Sequence, residues 1–318
     1  MTGSYRSAYM MTSDKIQTSF VHHDHIKFEQ NAHGIILLKV DNPFATATIS
    51  LLGGQVIAWQ PKSQTIPVLW EPDFSLYQKG KPIRGGAPIC WPWFGPHESI
   101  TDYPAHGFAR INTWEIVSIK TMSSGETEIC MVLPKSLENE VKFPYRTPFR
   151  DIELSVRYLI GSSLSIELSA RNSGQNSISI TEALHTYFKI SDIGEIEILG
   201  LDGSKYIDQI DQHQIKAQIG PIKFDSELDR VYIDTTASCS IRDLKFARTI
   251  KISKSGSNST VIWNPWLTKA SKMTDLGTTH WQSMVCVESA NAFHNAVLIE
   301  PGHHHMLAVN YAVAHITD

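Results

Sequence analysis

Apolar and polar side chains alternate one for one along much of this chain. Ile152, Leu154, Val156 and Tyr158 alternate with Asp151, Glu153, Ser155 and Arg157. Leu164, Ile166, Leu168 and Ala170 repeat the pattern, and Leu307, Val309, Tyr311 and Val313 do so near the end. A period of two buries one face of a strand and leaves the other outside. Arg171-Asn172-Ser173-Gly174 reads as a turn, and Gly53-Gly54, Gly85-Gly86, Asp202-Gly203 and Pro301-Gly302 punctuate the chain elsewhere. No long amphipathic helix is evident. Short strands with frequent turns predict an all-β fold of stacked antiparallel sheets. With no fixed repeat and no dividing linker, we expect a polar tail over residues 1–26 and one large β domain over residues 27–318.

The 318 residues are enough to bury a core without help from disulfides or a metal. The formal net charge of −4 argues against nucleic-acid binding, which needs a dominant basic field. It leaves room for a small anionic ligand, which a few local arginines can hold. Cys90, Cys130, Cys239 and Cys286 are far apart and form no Cys-x-x-Cys pair, the pattern of reduced thiols in a cytoplasmic protein. The first twenty residues lack the apolar stretch of a secretory signal. No apolar run approaches the ~20 residues of a membrane span. A cytoplasmic location is expected, with no membrane or nucleic-acid partner and a monomeric state.

Four segments depart from the strand pattern. Pro82 to His97 carries several prolines and glycines around Arg84, Trp91, Trp93 and Phe94, which no regular central strand accommodates. It predicts a rigid aromatic loop whose ring faces suit the apolar side of a sugar, or a packed sandwich corner. Ala105-His106-Gly107-Phe108-Ala109-Arg110 places a second arginine beside glycine. Arginine forks match phosphate oxygens, although a lone arginine is more often a surface charge. In Thr181 to Phe188, the alternation sets Thr181, Ala183, His185 and Tyr187 on one face and Ile180, Glu182, Leu184, Thr186 and Phe188 on the other. His185 then offers a group that exchanges protons near neutral pH, or a structural histidine. In Met284 to Asn291, Glu288 ends an otherwise apolar strand; it is a buried functional carboxylate or a strand-end group facing water.

His22, His23 and His25, and His303-His304-His305, invite a metal reading. Neighbours on a strand face opposite ways, so a run of three cannot close on one ion without a bend. No His-Glu-x-x-His spacing supports zinc. No metal and no cofactor are expected, and at most one of His303, His304 and His305 should face a pocket.

Seven stretches then fall into a recognisable order: Ile83-Arg84-Gly85-Gly86, Cys90-Trp91-Pro92-Trp93-Phe94-Gly95, His106-Gly107-Phe108-Ala109-Arg110, Leu184-His185-Thr186-Tyr187-Phe188, Leu228-Asp229-Arg230-Val231-Tyr232, Val261-Ile262-Trp263-Asn264-Pro265-Trp266 and Val287-Glu288. Together they resemble the aldose 1-epimerase superfamily, and its hexose-6-phosphate mutarotase branch, over roughly Gly53 to Gly302. The resemblance implies a large antiparallel β-supersandwich of the galactose mutarotase type, with a concave sugar site. It implies His185 as the catalytic acid, Glu288 as the catalytic base, and Arg84, Arg110 and Asp229 as substrate contacts. His106, Trp93 and Trp263 are further pocket candidates. Some members carry glutamine before the His-Gly-Phe-Ala-Arg run; Ala105 stands there instead, so that contact is absent or replaced.

The implied reaction opens the ring of a sugar phosphate and recloses it on the other face of C1. Three other readings stay open: a mutarotase of unphosphorylated aldoses, a silent sugar-binding protein, and a glycosidase using Glu288 and Asp229 as its two carboxylates. Because ring opening needs no Lewis acid and the histidine runs lack ligand geometry, anomer exchange should survive exhaustive chelation. Activity lost to a chelator and restored by zinc would contradict this expectation.

Overall fold

The computed structural model describes residues 23–72, 77–135 and 148–316. Most of the expected tail, residues 1–22, lies outside them, and the first strand, Ile26–Gln30, opens within one residue of the predicted domain start. Among the described residues, strands dominate and pair antiparallel in four sheets. The alternation read from the sequence is the reason. In the strand Ile152–Ile160, Ile152, Leu154, Val156, Tyr158 and Ile160 are all buried while their neighbours reach the outside. The strands Ser163–Asn172 and His304–His315 follow the same rule.

One eight-stranded sheet runs in the order Ile196–Leu199, Cys239–Asp243, Arg248–Ser255, His304–His315, Ser163–Asn172, Ile152–Ile160, Thr127–Val132 and Glu115–Thr121. The other runs Gln214–Ala217, Lys205–Asp208, Leu228–Tyr232, Ser259–Asn264, Met284–Asn291, Glu182–Leu184 and Ile89–Cys90, with Tyr187–Lys189 also paired to Met284–Asn291. The two sheets share one apolar core. Phe188 of the second meets Tyr311 of the first edge-on at 5.1 Å, and the Tyr311 hydroxyl lies 2.6 Å from Thr186 Oγ1. A four-stranded sheet, Ile26–Gln30 to Val56–Pro61, and the pair Ile178–Ile180 with Val297–Ile299 complete the layers. No helix among the described residues is long and apolar enough to cross a membrane.

Three local readings need correction. The turn placed at Arg171 begins two residues later, because Asn172 still pairs with Ile152 and its side-chain amide bonds the carbonyls of Asn176 and Ile299. Glu288 does not end its strand, which continues to Asn291. The segment Thr181–Phe188 is not one strand: the ladder breaks at His185 and Thr186. The chain beside it is the reason. His185 N–H donates to Pro88 O at 2.9 Å and Tyr187 N–H to Gly86 O at 2.8 Å. Proline has no N–H to return, and Gly86 N–H is spent on Trp70 O.

Phe188 joins the strands that carry the site to the opposite sheet, and it is wholly buried. Phe188→Ala should therefore cost about 3–5 kcal/mol, read as a lowered denaturant midpoint at unchanged slope. A loss below about 1 kcal/mol would contradict the packing role.

Candidate active site

The site grows from the register of the second large sheet. On the strand Met284–Asn291, Cys286, Glu288 and Ala290 face one way, as a two-residue period requires. Cys286 pairs with Trp263 on one side and Tyr187 on the other, and Trp263 pairs with Asp229. Asp229, Trp263, Cys286 and Tyr187 thus form one row across the sheet. Glu288 belongs to the next row, beside Val261 and Val231, and the register that pairs Leu184 with Ser289 and Tyr187 with Cys286 sets His185 opposite it. His185 Nε2 lies 3.3 Å from Glu288 Oε1. Both are buried, and the remaining atoms, His185 Nδ1 and Glu288 Oε2, have no hydrogen-bond partner among the described residues.

Aromatic stacking fixes the imidazole. The Tyr187 ring lies parallel to that of His185, 4.9 Å away with 11° between planes, and Trp70 stacks on Tyr187 at 5.8 Å. Trp263 meets both His185 and Tyr187 edge-on. Arg84 Nη1 donates to the Tyr187 hydroxyl at 2.9 Å, and its Nε lies 2.8 Å from Asp275 Oδ2. On the other side, His106 meets His185 at 5.6 Å and Phe94 at 5.0 Å. Two close backbone approaches hold these loops. A Cβ on Gly107 would sit 2.0 Å from Trp91 O, and one on Gly86 2.3 Å from Val56 O; both residues have positive φ, so only glycine fits. Arg110 donates from Nη2 to Ala105 O at 2.9 Å. The position that carries glutamine in some relatives therefore holds Arg110 by its backbone.

The electrostatics follow from burial. Desolvation pushes the Glu288 carboxyl well above its ordinary value, Asp229 adds to the shift, and Arg110 only partly opposes it. Desolvation lowers His185 to about 3, with the Arg110 and Arg84 charges acting in the same direction. Burial thus favours the neutral forms of both groups, with the pair's proton on the carboxyl rather than on the imidazole. His106 is pushed well below its ordinary value by burial and by the same arginines, so it too is neutral. Arg84, already paired with Asp275, and Arg110 lend the site positive charge beside its neutral imidazoles.

The sequence candidates separate clearly. His185, Glu288, His106 and Trp263 come together; Arg84 joins through Tyr187, and Arg110 acts on the pair electrostatically. Asp229 faces the same way but is tied to Lys269 at 3.6 Å. Two strand spacings and two residues separate it from Glu288, about 10 Å across and about 7 Å along the sheet at ordinary β geometry. That is a separation between backbone positions, and the Asp229 carboxylate still lies near enough to raise the Glu288 carboxyl. Trp93 turns elsewhere, stacking on Tyr103 and packing against His97, Phe108 and Phe149. It is Phe94 that packs against the apolar cluster on the site face. Tyr187, Trp70 and Asp275 are not among the sequence candidates, and Phe94 is so only as part of the aromatic loop. The alternation had already put Tyr187 on the face of His185, whereas nothing local marks Asp275 as the partner of Arg84. Of the histidine run, His305 points between the sheets, 2.8 Å from Glu182 Oε1, and His303 and His304 are exposed.

Comparison with known proteins bears on this arrangement. The family model for aldose 1-epimerase matches residues 37–312. A Cenchrus ciliaris protein provisionally named glucose-6-phosphate 1-epimerase is 32% identical over 265 residues, covering 80% of this chain and 78% of its own. An Escherichia coli K12 protein with the same provisional name is 31% identical over 257 residues, covering 80% and 83%. The crystal structure of a Salmonella typhimurium protein provisionally called a mutarotase superposes with a TM-score of 0.84 at 28% identity, over 94% of this chain and 99% of that one. A galactose mutarotase-like protein from Clostridium acetobutylicum shares the fold, with a TM-score of 0.68 at 14% identity over 91% and 98%.

The shared proton has a signature in stability. Unfolded, Glu288 titrates near 4.5 and His185 near 6.5. Above pH 6.5 the folded pair holds one proton and the unfolded chain none, so stability falls as pH rises, by up to about 1.4 kcal/mol per unit. Between 4.5 and 6.5 both states hold one proton and the contribution is flat. Below 4.5 the unfolded chain holds two, and stability falls toward pH 3. Glu288→Gln should abolish the decline above pH 6.5 and leave a profile that rises from about pH 3 to 6.5 and then levels. Denaturant midpoints across this range check it; parallel profiles for wild type and variant would contradict the shared proton.

Proposed function

Because the chain belongs to the aldose 1-epimerase family, we propose that it interconverts the α and β anomers of a hexose 6-phosphate, with glucose 6-phosphate as the preferred sugar. The observation that carries this reading is the buried His185–Glu288 pair beside two arginines. Ring opening needs one group to accept the C1 hydroxyl proton and one to donate a proton to the ring oxygen. A pair that holds a single proton supplies both.

In this reading Arg84 and Arg110 bind the 6-phosphate. Its negative charge offsets the two guanidinium groups that disfavour a protonated His185, and the proton passes across the 3.3 Å from Glu288 to His185. Glu288, now a carboxylate, takes the C1 hydroxyl proton. The C1–O5 bond breaks as the His185 imidazolium protonates O5, leaving a C1 aldehyde and a hydroxyl at C5. Rotation about C1–C2 presents the other face of the aldehyde. Closure runs the transfers backwards, with Glu288 donating to the carbonyl oxygen and His185 accepting from the C5 hydroxyl. Tyr187, held between His185 and Trp70 and bonded by Arg84, keeps the imidazole plane in place. Asp229 and Trp263 stand along the adjacent row as contacts for sugar hydroxyls and the ring face.

Each proton-transfer group contributes about 10²–10⁴-fold in rate. His185→Ala and Glu288→Gln should each lower anomer exchange of glucose 6-phosphate, measured by NMR, at least about 100-fold in a folded protein. Near-normal exchange by either variant would overturn the assignment and favour a silent sugar-binding protein. The arginines test the phosphate. A hydrogen bond to a charged group contributes about 1.5–3 kcal/mol, so Arg84→Ala and Arg110→Ala should each lower kcat/KM for glucose 6-phosphate by roughly 10–150-fold. KM should change more than kcat, and slow turnover of glucose should be spared. Equal losses on both sugars would make the arginines structural, and a wild-type preference for glucose would defeat the phosphate reading.

A further inference from the structure

The row beneath the acid/base pair carries a thiol that the ring-opening chemistry does not use. Cys286 is two residues from Glu288 on the same face of the same strand and is fully buried. One donor atom from each of His185, Cys286 and Glu288 lies within 4.8 Å of the others. Around a tetrahedral zinc ion, bonds of about 2.0–2.3 Å place donors about 3.5 Å apart. The His185–Glu288 separation of 3.3 Å already matches, and about 1 Å of side-chain adjustment brings in the sulfur. Two features point to a ligand rather than to idle packing. Glu288 Oε2 is buried without a hydrogen-bond partner among the described residues, and the Tyr187 stack holds an imidazole whose Nε2 lies 3.3 Å from Glu288 Oε1. On binding, the Cys286 thiol, which burial pushes well above its ordinary value, and the Glu288 carboxyl release their protons to solvent; the resulting imidazole, thiolate and carboxylate form a donor set that selects zinc or cadmium over magnesium or calcium.

We propose that His185, Cys286 and Glu288 form an inhibitory site for a soft divalent cation, which ties up both proton-transfer groups at once. The loss of activity rests on the acid/base reading of His185 and Glu288; the binding of the metal does not. The fourth position around the ion is left to water or to a sugar hydroxyl.

Cadmium titration of the purified protein reads the site without reference to activity, through the ultraviolet charge-transfer band of a cadmium–thiolate bond. Wild type should give this band with about one equivalent of cadmium. Cys286→Ala should lose it, and so should Cys286→Ser, which keeps the side-chain size. Zinc should displace the cadmium from wild type, and its affinity should fall at least about 100-fold in either variant, the upper range for disturbing even an outer partner of a metal ligand. In parallel, stoichiometric zinc should suppress wild-type anomer exchange, while Cys286→Ala exchanges at the wild-type rate with and without it. A band that persists in both variants, or no band in wild type, overturns the site. Zinc that suppresses wild type and Cys286→Ala equally assigns the effect to other histidines and overturns it too, and full wild-type exchange with zinc bound overturns the inhibition. A Cys286-dependent band in a protein that exchanges no anomers even without metal would uphold the metal site while refuting the mutarotase reading.

Discussion

The structure is organised around one buried carboxylate. Taking an ion out of water costs several kcal/mol unless it is paired and hydrogen-bonded, and Glu288 sits in the middle of a strand, wholly buried, with one oxygen unpartnered. Burial favours the protonated carboxyl, and His185, which the same desolvation favours as the neutral imidazole, lies beside it. The arrangement is unfavourable for stability and useful for chemistry. Two groups of different basicity are driven toward each other's range, mainly by burial and in part by the charges of Arg84, Arg110 and Asp229.

The surrounding fold follows from that requirement. An antiparallel sheet places side chains in rows, and the register on either side of His185 and Thr186 sets the imidazole opposite Glu288. Glycine at positions 86 and 107 lets loop backbone come within contact of Val56 and Trp91, which draws Arg84 and Arg110 toward the pair. Arg84 is held by Tyr187 and Asp275, and Tyr187 also stacks on His185. Arg84 and the His185–Glu288 pair are thus mechanically joined through one tyrosine ring.

Much of this was legible before the structure, and the divisions have physical causes. Alternation in Ile152–Ile160 and His304–His315 is a local consequence of a two-sided environment, so the β architecture could be read directly. His185 and Glu288 could be chosen because charged or titratable groups in apolar runs demand a reason. Trp93 was chosen over Phe94 because composition marks both and only the course of the loop decides which ring turns toward the site. The strand break was hidden because it depends on Pro88, about a hundred residues away. The Arg84–Asp275 ion pair was hidden for the same reason, and so was the closeness of Cys286, which follows only from pairing register.

The central claim is that Glu288 is protonated in the free protein and gives that proton to His185 when a sugar phosphate binds. Isotope-edited infrared spectroscopy at neutral pH observes the carboxyl directly. The account predicts a carbonyl stretch of a buried protonated carboxyl that is absent in Glu288→Gln and is replaced by carboxylate bands on addition of glucose 6-phosphate. A spectrum showing Glu288 ionised in the free protein, or unchanged when the sugar phosphate binds, would contradict it.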